Sequence, residues 1–384
     1  MTTAALTWRG VSARRMDRSS LIEPAANADP ADIARALVGA HAQILQAGEV
    51  SIARRAGLTR ADVERALWVD RTLVKTFGPR GTVHLLATAD LPMWTGALSA
   101  LPQSGPGHPE GVRFTPDEAE EVIAGIGDAL ADAELTVDEL TEALRELVGP
   151  WAVEETMAAF QVLWPRWRQL TSNAADRGVL CFGPDRGRRV TYTNPHRWLP
   201  GFVPEDGATA SRALLRAYLH AYGPATPANF ARWLAIAPKR AAALFHEAAD
   251  DIEPVELEGV PAWTLAGDTS APETPVPGIR LLPYFDAFVV AGQPRELLYP
   301  GGAAARAAPT GQAGNYPVML IDGVVGGIWH QRRSGRRLVI TVESLVPLRT
   351  DQRRELDDEV ALIGRIVGAE PTLVLGQVTV GPHA

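Results

Sequence analysis

The chain has 384 residues, of which 46% are hydrophobic, enough for roughly two to four compact domains. One cysteine, Cys181, excludes an internal disulfide and any zinc site built on clustered thiolates. The first twenty residues lack the apolar core of a signal peptide and no apolar run reaches membrane-spanning length, which points to a cytoplasmic protein. The net charge of -8 argues at first against a nucleic-acid partner.

From the N-terminus, Asp29 is a helix cap, and Ile33, Ala36, Leu37, Ala40 and Ile44 recur at helical spacing, predicting one helix over 30–46. A short helix, a turn at Gly57 and a second helix capped by Thr59 follow, which is helix-turn-helix grammar. The run TLVKTFGPRGTVHLL then reads as a hairpin around Gly78, Pro79 and Gly81, making a winged helix. The order recurs from Thr115. An amphipathic helix, the capped helix in LTVDELTEALRELVG, a longer helix from Val153 and the hairpin RGVLCFGPDRGRRVTYT fit a second winged helix. A third begins at Ser211, with Thr226 and Pro227 marking a helix start, and ends in VELEGVPAWTL.

The acidic charge is concentrated. Residues 117–146 hold eleven acidic residues and one arginine, and the remainder is close to neutral, with arginine clusters at the turns. All but two of the 37 basic residues are arginine, the exceptions being Lys75 and Lys239. Guanidinium suits bidentate phosphate contact, and equally suits a GC-rich genome. Past the linker-like GDTSAPETPVPG, short β-rich runs, one helix near 351–367 and a last strand predict a small β-rich domain, with APTGQAGN as an exposed mobile loop.

The runs LVGAHAQILQ, RTLVKTFGPRGTVHLL, DLPMWTGAL, LLPYFDAFVVAG and PVMLIDGVVGGIW resemble the tandem winged-helix DNA glycosylases of the azinomycin-resistance type, along nearly the whole chain. The resemblance implies an α+β fold of three tandem winged-helix domains (1–105, 106–205 and 206–270) and a C-terminal β-barrel-like domain (271–384), concave overall. It implies a monofunctional glycosylase that hydrolyses the N-glycosidic bond of bulky alkylated purines, N7-alkylguanine above all and interstrand crosslinks among them, in genotoxin self-resistance or repair. The partner is then double-stranded DNA carrying alkylated bases, met by a monomer. No cofactor and no metal are implied.

The family's catalytic signature is glutamine, an apolar residue, then glutamine or aspartate. The matching positions are His41, Ala42 and Gln43, so histidine stands where the family has its first glutamine. An N7-alkylated purine leaves as a neutral base and needs little acid help, so the task shifts to the sugar and the water. A neutral His41 can take the proton of that water, and the Gln43 carbonyl can hold the water and face the cationic sugar. The plainer alternative is a histidine and a glutamine that are merely solvated. Arg55 in the helix-turn-helix region, Arg80, Thr82 and His84 in the first hairpin and Arg186, Arg188 and Arg189 in the second are candidate DNA contacts. Trp68, Trp94, Trp164 and Trp167 read as core. Asp286 and Asp322 read as turn stabilisers. The competing function is a non-catalytic winged-helix protein, a transcription regulator or a binder of drug-modified DNA.

Overall fold

In a computed structural model, residues 3–102, 109–159, 162–274, 276–309 and 311–381 are described. Strand β1 (Ala4–Leu6) and helix α1 (Trp8–Arg18) lead into α2 (Pro30–Ala36), where the Asp29 carboxylate accepts the Ala31 N–H and Pro30 occupies the first turn. The single helix expected over 30–46 does not form. The chain leaves α2 through Val38 (φ 48°) and Gly39 (φ 92°), and Ala40–His41 becomes β2. A second helix, α3 (Leu45–Ala56), starts afresh and ends at Gly57 in the left-handed region, after which Thr59 caps α4 (Arg60–Trp68), as the sequence predicts. Strands β3 (Leu73–Phe77) and β4 (Val83–Ala87) form the expected hairpin. With β2 they make a three-stranded antiparallel sheet in the order β2-β4-β3. The Tyr222 hydroxyl donates to the Leu37 carbonyl and fixes the segment that enters β2.

After α5 (Leu91–Ala100), the same order of elements returns in α6 (Pro116–Leu130), β5 (Glu134–Thr136) and α7 (Val137–Leu147). Both helices open with capping boxes, Thr115 with Glu118 and Thr136 with Glu139. The helix expected from Val153 is instead an antiparallel pair, β6 (Glu155–Ala159) and β7 (Val162–Pro165), followed by a tight turn over 166–170 and the short α8 (Thr171–Asp176). Pro165 forbids a helix through its own position and keeps Trp164 extended at the end of β7. The hairpin of β8 (Cys181–Arg186) and β9 (Arg189–Thr193) matches expectation, and β5 completes the sheet β5-β9-β8.

The third repetition comprises α9 (Gly207–Tyr222), α10 (Pro227–Leu234, capped by Thr226), α11 (Pro238–Glu247) and the pair β10 (Ile252–Leu257) and β11 (Val260–Leu265). Its third strand is β1, which runs parallel to β10 from the other end of the chain. The Pro-rich stretch after β11 carries no regular element among the described residues, yet it is anchored, because Asp268 accepts from Arg14 and Arg18 of α1.

Beyond it lies a five-stranded sheet in the order β12-β13-β14-β15-β16, built from β12 (Ile279–Leu282), β13 (Val318–Ile321), β14 (Val324–Ser334), β15 (Arg337–Ser344) and β16 (Glu370–Leu375). Short helices α12 (Ala287–Ala291), α13 (Arg295–Leu298) and α14 (Ala303–Ala307) precede β13, and α15 (Thr350–Val367) provides the crossover that parallel β15 and β16 require. The architecture is α+β. Trp94 and Trp167 are core residues, as expected, whereas Trp68 and Trp164 are half-buried. Among the described residues no helix is long and apolar enough to cross a membrane, and there is no cluster of potential metal ligands.

Candidate active site and nucleic-acid interface

The first three-stranded sheet separates two cavities. Side chains alternate across a strand, so the aligned row His41, His84 and Thr76 faces one side. The rows on either side of it, with Lys75 and Leu85 in one and Phe77 and Val83 in the other, face the opposite side. His41 opens on a cavity of about 330 Å³ that draws Arg80 and Thr82 from the first hairpin, Asn229 and Trp233 from α10 and Asn315 from the loop before β13. Gln43 opens on a neighbouring cavity of about 640 Å³ between the first hairpin and the second repetition. The two candidate catalytic residues are thus two positions apart, on a strand end and the bend after it, and border different cavities. His41 lies on a strand and not on the expected helix.

His41 is 8% exposed, and its ring lies 4.4 Å from that of Phe285 and 5.1 Å, edge to face, from that of His84. His84 is buried, with Nδ1 2.8 Å from the Thr82 carbonyl. A carbonyl can only accept, so Nδ1 carries the proton of that bond. Burial, with His41 and Arg80 nearby, holds the His84 imidazole well below its usual range, and it stays neutral near pH 7. Gln43 is exposed, and its side-chain oxygen accepts the Val83 N–H at 3.4 Å, a long bond that a stronger donor can replace.

The remaining sequence candidates divide sharply. Arg80 has a positive φ of 66°, donates to the Trp233 carbonyl at 2.8 Å, and is brought down to about 10 by burial. It lines the His41 cavity, as does half-buried Thr82, whose hydroxyl donates to the Pro79 carbonyl at 3.0 Å. His84 is no surface probe of a groove, because it is enclosed beneath His41. Arg186, Arg188 and Arg189 are exposed at the second hairpin. Arg186 is already paired with Glu139 at 2.9 Å, and Arg189 reaches the Gln43 cavity.

Arg55 corrects the expectation of a DNA contact. Its guanidinium is 0% exposed and forms a two-pronged pair with the equally buried Asp286, at 2.8 Å on each arm. Asp286 also accepts the Ser51 hydroxyl and the Phe288 N–H, capping α12, so its structural reading stands. Asp322 likewise accepts the Gly278 N–H at 2.7 Å. The loop read as exposed and mobile is exposed at Pro309, Gly311 and Gln312 but not at its end. Asn315 is buried, Gly314 accepts the Phe285 N–H, and the segment from 311 closes one side of the His41 cavity; Thr310 lies outside the described residues.

Sequence reasoning passed over several polar residues of these cavities. Asn229, the neighbours Gln293 and Arg295, and Asn315 come from three separate segments, and no local pattern connects them. Lys75 and Arg168 could have been found, since each carries the charge in an otherwise β-rich or aromatic run.

Three comparisons agree. The family model for AlkZ-like DNA glycosylases matches residues 34–366. An interstrand DNA cross-link repair glycosylase of Streptomyces sahachiroi is 33% identical over 351 residues, covering 84% of this chain and 87% of that protein. The solved structure of the Streptomyces sahachiroi DNA glycosylase AlkZ is similar with a TM-score of 0.81 at 28% identity, over 96% of this chain and 100% of that one.

Proposed function

Because the chain belongs to the AlkZ-like DNA glycosylase family, we propose that it excises bulky N7-alkylated purines from duplex DNA, crosslinked ones included, through His41 and Gln43. That the chain is a DNA glycosylase, a hydrolase of N-glycosyl bonds, follows from the family, and a purely DNA-binding role is not favoured. The relative is named for interstrand cross-link repair, and this supports the substrate class.

The observation that carries the catalytic assignment is the exposed Gln43 just past β2, two residues beyond the strand pair that fixes His41 against His84. A water bound by the Gln43 carbonyl can approach the sugar from the face opposite the leaving base. His41 is the nearby group able to take its proton, contributing roughly 10²- to 10⁴-fold. Apo geometry often tightens around substrate, so a shared water over the end of β2 is compatible with the two cavities.

We read the repeated order of helix, strand, helix, helix and hairpin as three winged helices over 1–105, 106–205 and 206–270, with the β-rich domain from 271 to 384. The three-stranded sheets β2-β4-β3 and β5-β9-β8 support the first two. In the third, β1 supplies the extra strand, so the first few residues serve the third unit; the boundary at 105 lies outside the described residues. Without a carboxylate among the proposed catalytic groups, the preference is for cationic, labile lesions over normal bases.

Single-turnover release of N7-methylguanine, read as abasic sites after alkaline cleavage, tests the assignment. His41→Ala and Gln43→Ala should each slow excision by about 10²-fold with duplex affinity nearly unchanged. His41→Gln, which restores the family's first glutamine, should recover most of the rate. Full activity in both alanine variants would move the chemistry elsewhere.

A further inference from the structure

The cavity beside Gln43 is lined by a largely buried cation to which the described residues offer no direct hydrogen bond. Lys75, on β3, is 8% exposed, and its ammonium lies 4.6 Å from the centre of the Phe182 ring. Among the described residues it makes no hydrogen bond and no ion pair. Two carboxylates, Asp185 and Glu49, act on it only through space; Glu49 pairs through one oxygen with Arg60 at 2.7 Å. An ammonium has three donors and no acceptor capacity, so one held against an aromatic face at a cavity wall has its donors free for whatever enters that cavity.

The surroundings fit an anion. Arg168, stacked 3.6 Å over the Trp164 ring, and exposed Arg189 line the same cavity, and Asp138 is the one carboxylate among its described lining residues. Burial lowers both Lys75 and Arg168, more than Asp185 and Glu49 near Lys75 and Tyr192 beside Arg168 raise them.

We infer that this cleft between the first and second repetitions seats a backbone phosphate of the damaged strand, with Lys75 as its buried ligand and Arg168 and Arg189 at its mouth. The inference rests on the glycosylase reading for the identity of the anion, since DNA presents a phosphodiester within one nucleotide of the sugar that Gln43 would face. A phosphate there completes the donors of Lys75 and holds that sugar over the strand end. Lys75 is thus assigned to substrate positioning and not to the bond-breaking step.

The test is a neutral-phosphate scan. Methylphosphonates replace, one at a time, the phosphates flanking a non-hydrolysable 2′-fluoro-N7-methylguanosine in a duplex, and binding of the full chain is measured for wild type and Lys75→Met. Wild type should lose roughly tenfold affinity at one position. Lys75→Met keeps the packing volume, should bind the unmodified duplex roughly tenfold more weakly with a salt slope shallower by about one ion, and should be indifferent at that position. An unchanged affinity and slope in Lys75→Met, or an undiminished penalty at that position, overturns the inference. The chain has only two lysines, Lys75 and Lys239, so biosynthetic labelling with ¹³C,¹⁵N-lysine provides a reading that needs no variant. The Lys75 side-chain resonances should move on titration with the unmodified duplex and not with the methylphosphonate duplex that neutralises the contact; resonances blind to both overturn it too. Base release is assayed separately by alkaline cleavage, so a failed glycosylase reading and a failed phosphate seat give different results.

Discussion

Arg55 and Asp286 illustrate how far a single residue's surroundings can override its type. Arg54 and Arg55 read as a basic pair at a helix end, yet Arg55 is completed by a carboxylate 231 positions away and Arg54 by Glu359, 305 positions away. No local signal in the sequence carries such a partnership, and this is why the charge of Arg55 was legible and its burial was not. Burial alone would push the Asp286 carboxyl up, but the Arg55 guanidinium, the Ser51 hydroxyl and the Phe288 N–H outweigh it and hold the group below the usual carboxylate range. Removing one partner strands the other, so Arg55→Met should destabilise the fold by about 3–5 kcal/mol, read as a fall in denaturation midpoint. The variant that still folds should keep the wild-type salt dependence of DNA binding. A loss of slope with unaltered stability would return Arg55 to the phosphate contacts.

At the level of elements, the sequence was most legible where the turn chemistry is local. Thr59 and Thr226 cap the helices they were expected to cap, and the first hairpin lies around its Gly-Pro turn, whereas the second turns at Gly187 and Arg188 with Gly183 and Pro184 at an irregularity inside β8. It was least legible at β2, because apolar residues at helical spacing run through 33–44 and two residues are too few to display an alternating pattern. The break comes from backbone conformation. Gly39 sits at φ 92°, where a β-carbon would stand 2.8 Å from the Leu86 side chain and 3.3 Å from that of His84. Gly39→Ala should therefore cost about 1–3 kcal/mol and displace β2 from β4. Because β2 is held by only two residue pairs, excision should fall more than the loss of stability explains, with the rate measured well below the melting temperature. Wild-type excision in a destabilised Gly39→Ala protein would show that the β2 register is irrelevant to the reaction. The pair β6–β7 was illegible for another reason, since its residues show no alternation and the proline at its end rules out a helix only at that position.

Across the whole molecule, charge sets both solubility and acid-base response. The acidic block of 117–146 gives the chain its negative sign, and the cavities on either side of the first sheet gather arginine, lysine and amide groups, so a negative total coexists with cationic recesses. Stability should carry a signature of Asp176, at the end of α8, whose carboxyl burial raises to about 7. An acid whose folded value lies above its unfolded one contributes fully below the unfolded value, near 3.8, and that contribution is lost as pH rises through about 7. The stability lost over this window is about 4 kcal/mol at most. Asp176→Asn should therefore raise the melting temperature at pH 8 and leave it nearly unchanged at pH 4. Equal effects at both pH values would rule out this titration.

The two-faced first sheet has a consequence for how such a protein can diversify. Successive positions on β3 and β4 belong to opposite compartments, so a mutation at one position retunes the chamber of His41 while its neighbour retunes the grip beside Gln43. Lesion choice and strand affinity can then drift on separate tracks within fifteen residues of sequence, from Leu73 to Ala87. A library that randomises only the row of Thr76 and His84, or only the row of Lys75, should yield variants changed in one trait and inherited unchanged in the other.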